Sequence, residues 1–278
     1  MDRKIELPLS AVNPGHWARA WERMRKSRPL IYAITNFVAA SFQANVILAA
    51  GGVAVMSRNG EEAGLLGKMG DGLLLNAGTP PDGGEAAMRK ALSAAKGRMV
   101  LLDPVGYGLT PYRKSLVDSL LLEFPVSLVK GNHDEVRLLA GYPGEMRGVD
   151  SGEPSRDAAA SVKSLAVKTG ALVCATGAVD YVSDGVSVAA FRGGSALVAR
   201  ITGGGCALGA LMITLAAGSG SAVEGSTAAL AAFRRAAELA EKHARGPASF
   251  QACLIDEIFG MTPEVLLAQE GRMALLEE

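Results

Sequence analysis

Short apolar runs separated by longer helix-forming segments recur from Pro29 to Ala175, and this alternation limits the fold more than any other feature of the chain. Residues 29–35, 53–56, 72–76, 98–103, 126–130 and 171–175 read as strands. Residues 37–50, 84–95, 112–123, 134–139 and 156–169 read as helices between them. The runs are apolar throughout rather than alternating, the pattern of strands covered on both faces, and strands alternating with helices imply a parallel sheet. An amphipathic helix precedes the series, with Trp17, Ala20, Trp21 and Met24 at three- and four-residue spacing. After it, 179–183 and 186–191 flank Asp184-Gly185 as a hairpin. Residues 195–200 read as one more strand, and 144–153 as a polar, glycine-rich loop. From Cys206 onward the pattern predicts helices only, over 206–217, 222–242, 248–259 and 262–276. The expectation is an α/β protein with three α/β/α layers, a mostly parallel sheet and a helical block from about residue 206, all in one domain spanning 1–278.

Composition removes several function classes. Lys and Arg number 28, as do Asp and Glu, so the basic face expected of a nucleic-acid binder is missing. The longest apolar stretches, 46–56 and 206–218, fall short of the roughly 18 residues of a membrane span. The opening MDRKIELPLS has no apolar core of a signal peptide. Three scattered cysteines, Cys174, Cys206 and Cys253, make neither a disulfide framework nor a zinc site, and a reducing cytoplasm is the expected compartment.

Three motifs carry chemistry. In Thr202-Gly203-Gly204-Gly205-Cys206 a glycine run opens an apolar helix. Its free N–H groups suit a phosphate, and a thiol there is expected to have a lowered pKa; the plain alternative is a glycine turn with a small buried Cys. Lys130-Gly131-Asn132-His133-Asp134-Glu135 follows a strand. Glu135 fits either a carboxylate reaching Mg²⁺ or its waters, or one half of a capping box with Asn132. Asp103-Pro104 ends a strand on the side where open α/β sheets bind ligands, though Asp-Pro is also a turn signal. Asn36, Met56 and Thr176 also stand at strand ends. In a parallel sheet these ends share one rim, so an anion cradle, two carboxylates and a proton-accepting side chain meet there: the parts of a phosphoryl-transfer site. No G-x-x-x-x-G-K-[ST] loop or protein-kinase signature is present.

The order of motifs resembles the hydroxyethylthiazole kinase family of the ribokinase-like fold. The resemblance covers about residues 30–259 and is carried by ITNFVAASFQANVILAAGGVAVM, LNAGT, LDPVGYGLTPYR, KGNHDE, ATGAVDYVSDG, TGGGC and GPASFQACLIDEIF. It implies ATP-dependent phosphorylation of the hydroxyl of 4-methyl-5-(2-hydroxyethyl)thiazole in thiamine salvage. It also implies Mg²⁺, and a homotrimer with the thiazole pocket at a subunit boundary. By the same resemblance Asn36, Met56 and Gly203 match thiazole-contacting positions, and Lys130 and Thr176 match ATP-binding ones. Gly204 and Gly205 of the glycine run are read with the ATP phosphates. Asp103 and Glu135 match the acidic residues near Mg²⁺, and Cys206 matches the family's characteristic catalytic cysteine. The chain departs from the family at Lys130, where Arg is usual, at Tyr32-Ala33, where His-Cys is common and the pocket wall is at stake, and at Gly204, usually Thr or Ala. Two other readings remain open: another small-alcohol kinase on this scaffold, for a hydroxymethylpyrimidine or a sugar, and a thiazole- or nucleotide-binding protein without turnover.

Overall fold

The computed structural model describes residues 7–80, 84–143 and 156–276. The predicted loop at 144–153 lies outside them. Among the described residues nine strands form one sheet in the order β2-β1-β3-β4-β5-β6-β7-β8-β9. They are β1 (Leu30–Ile34), β2 (Val53–Met56), β3 (Gly72–Asn76), β4 (Met99–Asp103), β5 (Leu128–Asn132), β6 (Leu172–Thr176), β7 (Asp180–Ser183), β8 (Val188–Phe191) and β9 (Met273–Leu275). The first six are parallel and the last three add antiparallel at one end. The three-layer, mostly parallel expectation is met.

The helices divide between the faces. Buried side chains of α1 (Pro14–Ser27), α2 (Ala40–Ala50), α8 (Gly204–Ser219), α9 (Ala222–His243), α10 (Pro247–Phe259) and α11 (Pro263–Leu267) share one core with Ile31, Leu74, Leu101 and Leu128. Those of α3 (Ala63–Met69), α4 (Gly84–Ala94), α5 (Pro111–Glu123), α6 (His133–Ala140) and α7 (Arg156–Thr169) share a second core with Tyr32, Leu73, Leu102 and Val129. Alternate strand residues therefore feed alternate layers, as the two-residue period of a strand requires. Helix α8 is buried all round, so it is the central helix of its layer rather than a surface one.

Four expectations change. Residues 195–200 form a 3-10 turn, Ala196–Arg200, because the Ser195 hydroxyl accepts the Leu197 N–H at 3.1 Å and starts a turn instead of a ladder. The tail is not one helix: α11 lasts five residues, Gly271 takes a positive φ of 78°, and Met273–Leu275 then pairs with β8. The open edge of β8 supplies hydrogen bonds that overrode the helical period. Strand β5 begins and ends two residues later than predicted. Helix α3 went unread because two glycines hide its period. At Gly67 a Cβ would stand 2.6 Å from the Ala91 carbonyl, so glycine is what lets α3 and α4 touch.

Candidate active site

Period two also builds the site. Asn76, Asp103 and Lys130 each stand two residues beyond a buried leucine that faces α8: Leu74, Leu101 and Leu128. All three therefore project toward α8, in a row across β3, β4 and β5. Asn76 Nδ2 donates to Asp103 Oδ2 at 3.1 Å, and Lys130 Nζ to the same oxygen at 3.2 Å. Above the row stands the first turn of α8. Its N-cap, Gly203, has φ 79°, where a Cβ would come within 2.9 Å of that of Ala39. The Gly204, Gly205 and Cys206 N–H groups precede the first intrahelical donor, Ala207, whose N–H reaches the Gly203 carbonyl at 2.8 Å, and they point out of the helix end. A Cβ on Gly205 would lie 3.4 Å from Lys130 Nζ, so the ammonium sits directly beneath this turn. Amide donors and a buried cation thus stand together at the glycine run, an arrangement chemically suited to an anion.

Cys206 Sγ accepts from Asn76 Nδ2 at 3.3 Å and from Asn36 Nδ2 at 3.6 Å. Asn36 is held in turn by Asn76 Oδ1 at 2.9 Å and by the Ala39 N–H at 2.8 Å. The expectation of a thiol acidified by the helix end is overturned. Burial and then Asp103 push the Cys206 pKa up, and they outweigh Lys130 and the two amides, which pull it down. Burial likewise raises the Asp103 carboxyl to about 6, against the pull of Lys130. For Lys130 burial acts downward, but Asp103, Cys206 and Glu135 prevail and its pKa rises above the ordinary value. The ammonium stays charged and the thiol neutral.

Glu135 satisfies the capping reading in full. Asn132 Oδ1 accepts the Glu135 N–H and Glu135 Oε2 accepts the Asn132 N–H, both at 2.8 Å. Its Oε1 accepts the Gly106 N–H, also at 2.8 Å, tying the turn after β4 to the turn after β5. Thr176 Oγ1 donates to the Gly131 carbonyl at 3.1 Å, one strand further along the rim. Met56 ends β2 at the other extreme, beside Ala33. From β2 to β6 is five strand spacings, ~24 Å. Thus Asn36, Asp103, Lys130 and Cys206 meet directly, Glu135 joins them through backbone, and Met56 and Thr176 flank them at a distance. Tyr32 faces the other layer, away from α8, so its substitution does not reach this side of the sheet.

Among the described residues no group of three or more His, Cys, Asp or Glu side chains is placed to hold a metal. The carboxylates still suit Mg²⁺ in one respect. Asp103 Oδ1 is buried with no hydrogen-bond partner, and each Glu135 oxygen keeps a second lone pair beyond its backbone N–H. One or two carboxylates, completed by waters and phosphate oxygens, is the donor set this ion usually takes.

Two residues of the site escaped sequence reading. Asn76, at the hub, was legible in principle, because it repeats the leucine-x-polar pattern of Asp103 and Lys130. Gln43, fully buried in α2, donates through Nε2 to the Cys206 carbonyl at 3.1 Å and carries no local sequence signal.

Comparison with known proteins follows the same line. Residues 21–264 match the model of the hydroxyethylthiazole kinase family. A hydroxyethylthiazole kinase of Cereibacter sphaeroides is 40% identical over 249 residues, 88% of this chain and 94% of that protein. The solved structure of hydroxyethylthiazole kinase from Pyrococcus horikoshii aligns with a TM-score of 0.85 at 33% identity, over 94% of this chain and 99% of that one. An ADP complex of Bacillus subtilis pyridoxal kinase shares the fold at 16% identity and a TM-score of 0.56, over 74% of this chain and 90% of that one. No helix of the described residues is long and apolar enough to cross a membrane.

Proposed function

The chain belongs to the hydroxyethylthiazole kinase family, and from that premise we propose that it phosphorylates the hydroxyl of 4-methyl-5-(2-hydroxyethyl)thiazole with ATP, as a step of thiamine salvage. The observation that carries the reading is the Asn76–Asp103–Lys130 row beneath the N-terminal turn of α8, with Cys206 on that turn. The thiazole alcohol lies toward β2, against Asn36, Met56 and Gly203. ATP lies toward β6, over Lys130, Gly204, Gly205 and Thr176.

In the transfer the substrate oxygen bonds to the γ-phosphorus as the bond to the departing ADP oxygen breaks. The transition state is loose, so the protein's contribution is position and field rather than strong base catalysis. The Gly204, Gly205 and Cys206 N–H groups, with Lys130 beneath them, stabilise the transferring phosphoryl oxygens. Cys206 is neutral and its sulfur already accepts two amide N–H groups, so its single proton is free to donate to the substrate oxygen. The thiol orients that oxygen; the hydroxyl proton leaves late, toward the phosphoryl oxygens. Asp103 and Glu135 would hold Mg²⁺, directly or through water. That ion, when bound, neutralises phosphate charge.

A homotrimer with the substrate pocket at a subunit boundary belongs to the same proposal. Edge strand β2 is apolar throughout, and its sequence neighbours expose Phe37, Leu48, Leu65 and Met69. Open apolar edges of this kind are ordinarily covered.

The test is an ADP-release assay with thiazole, hydroxymethylpyrimidine and sugar alcohols. Turnover preferring the thiazole alcohol supports the reading. Preference for another alcohol transfers the chain to a different kinase activity, and binding without ADP release leaves it a binding protein.

A further inference from the structure

On the nucleotide side of the rim, a buried ion pair lies outside the cluster around Cys206. Arg234, on α9, and Asp180, the first residue of β7, are almost wholly buried. Arg234 Nε donates to Asp180 Oδ2 at 2.7 Å. Both terminal nitrogens of the guanidinium donate to backbone carbonyls: Gly177 at 3.0 Å, Ala178 at 3.2 Å, and Gly193 in a close contact. Asp180 Oδ1 accepts the Gly177 N–H at 3.0 Å. The pair therefore fixes both polar groups of Gly177 and reaches two separate loops, the one after β6 and the one after β8.

The second loop is pinned again one turn further along α9. Glu238 accepts the Gly194 N–H at 3.0 Å and both terminal nitrogens of Arg272, at 2.8 and 2.9 Å. This loop leads through the 3-10 turn at Ala196–Arg200 into the glycine run that opens α8. On the other flank, the His133 ring contacts the Val179 carbonyl at 2.8 Å, and a Cβ on Gly177 would strike that ring at 2.7 Å. The segment after Thr176 is thus held from both sides.

Peptide planarity gives the clamp a direction. A trans peptide sets its C=O and the following N–H on opposite sides. With the Gly177 and Ala178 carbonyls turned to Arg234, the Ala178 and Val179 N–H groups are turned away from it. We propose that Arg234 is a positioning residue for nucleotide binding: it holds the Thr176–Val179 turn in the orientation that offers these two donors to ATP beside Thr176. This inference rests on the reading that Thr176 lies at the nucleotide.

Arg234→Lys keeps the charge opposite Asp180 but loses the planar fork that gathers the carbonyls. The full-length enzyme is assayed for KM of ATP, KM of the thiazole alcohol and kcat. Binding of a non-hydrolysable ATP analogue is measured by calorimetry, alongside Thr176→Ala and wild type. The expected result is a KM for ATP raised about tenfold, with analogue binding weakened to match, the magnitude of one or two misplaced hydrogen bonds. The KM of the alcohol and kcat at saturating ATP stay near wild type. A purely structural role would lower thermal stability without that selective shift and would overturn the proposal. So would an unchanged KM for ATP in Arg234→Lys while Thr176→Ala raises it. If neither variant changes it, the placement of Thr176 fails first and the proposal fails with it. Should Arg234→Lys not fold, Asp180→Asn serves instead. It retains an acceptor for the Gly177 N–H and is expected to shift KM for ATP in the same direction by less.

Discussion

Glu135→Gln separates two roles that one side chain combines. Both carboxylate oxygens accept a backbone N–H at 2.8 Å, one from Gly106 and one from Asn132. A glutamine has one oxygen and one NH₂, so whichever way the amide turns, one of these buried N–H groups faces a donor. The loss is a charge-assisted hydrogen bond plus an unsatisfied donor, about 2–4 kcal/mol together. For a protein of this size that corresponds to a Tm lower by roughly 4–8 °C. The measurement is thermal unfolding by circular dichroism in chelator without nucleotide, where neither metal nor ATP contributes. Asp134→Asn, one residue away and more exposed, is the control and is expected to change Tm by less than about 2 °C. ADP release by Glu135→Gln, assayed well below its Tm, is expected to fall as well, since the Gly106 turn follows directly on Asp103, whose carbonyl accepts the Val105 N–H at 2.9 Å. An unchanged Tm in chelator would refute the backbone-tie argument. A lowered Tm with full turnover would instead remove Glu135 from any role toward Mg²⁺.

Lys130→Met strands a buried carboxylate and is expected to destabilise by about 3–5 kcal/mol, whereas Lys130→Met with Asp103→Leu recovers most of the loss but releases no ADP. Chemical denaturation and the ADP assay check both halves, and a double variant as unstable as the single one would contradict the ion-pair account. Because the Cys206 pKa is raised, its thiolate fraction at neutral pH is below that of an ordinary thiol. Alkylation by iodoacetamide, followed by peptide mass spectrometry, should reach half its maximal rate above the usual thiol value of about 8.5; a midpoint below it would restore the acidified thiol. Finally, Leu65→Glu with Met69→Glu should dissociate the assembly into monomers in sedimentation velocity, and a monomeric wild type would end the trimer proposal.

How much of this could be read in the sequence follows from how local each cause is. Strands β1, β3 and β4 announce themselves as apolar runs ended by polar residues, and their polar ends are the rim of the site. Glu135 is legible as a cap because its partner Asn132 is three residues away. The tail is not legible, since Met273–Leu275 becomes a strand through the open edge of β8, about eighty residues distant. The same limit hides Arg234. Nothing within the alanine-rich helix α9 signals a buried cation, and its partner Asp180 lies 54 residues earlier. The thiol pKa failed for a different reason. The helix-end rule considers one dipole, while the folded site adds burial and a neighbouring carboxylate, both of which act the other way.

That failure clarifies why a thiol fits here at all. Asp103 and Lys130 already form one anion facing one cation in nearly complete burial. An ionised group at Cys206 would place a second anion beside Asp103, where in the proposed transfer the phosphoryl group brings more negative charge. A neutral thiol avoids that repulsion, and the two neutral amides of Asn36 and Asn76 hold it without adding charge. In the proposed transfer the field left over is then the Lys130 ammonium and the free N–H groups of α8, both positive and both held by the fold itself. A preorganised field of this sign lowers the barrier without reorganisation during the reaction, and in a loose transfer the weak acidity of the thiol is no handicap.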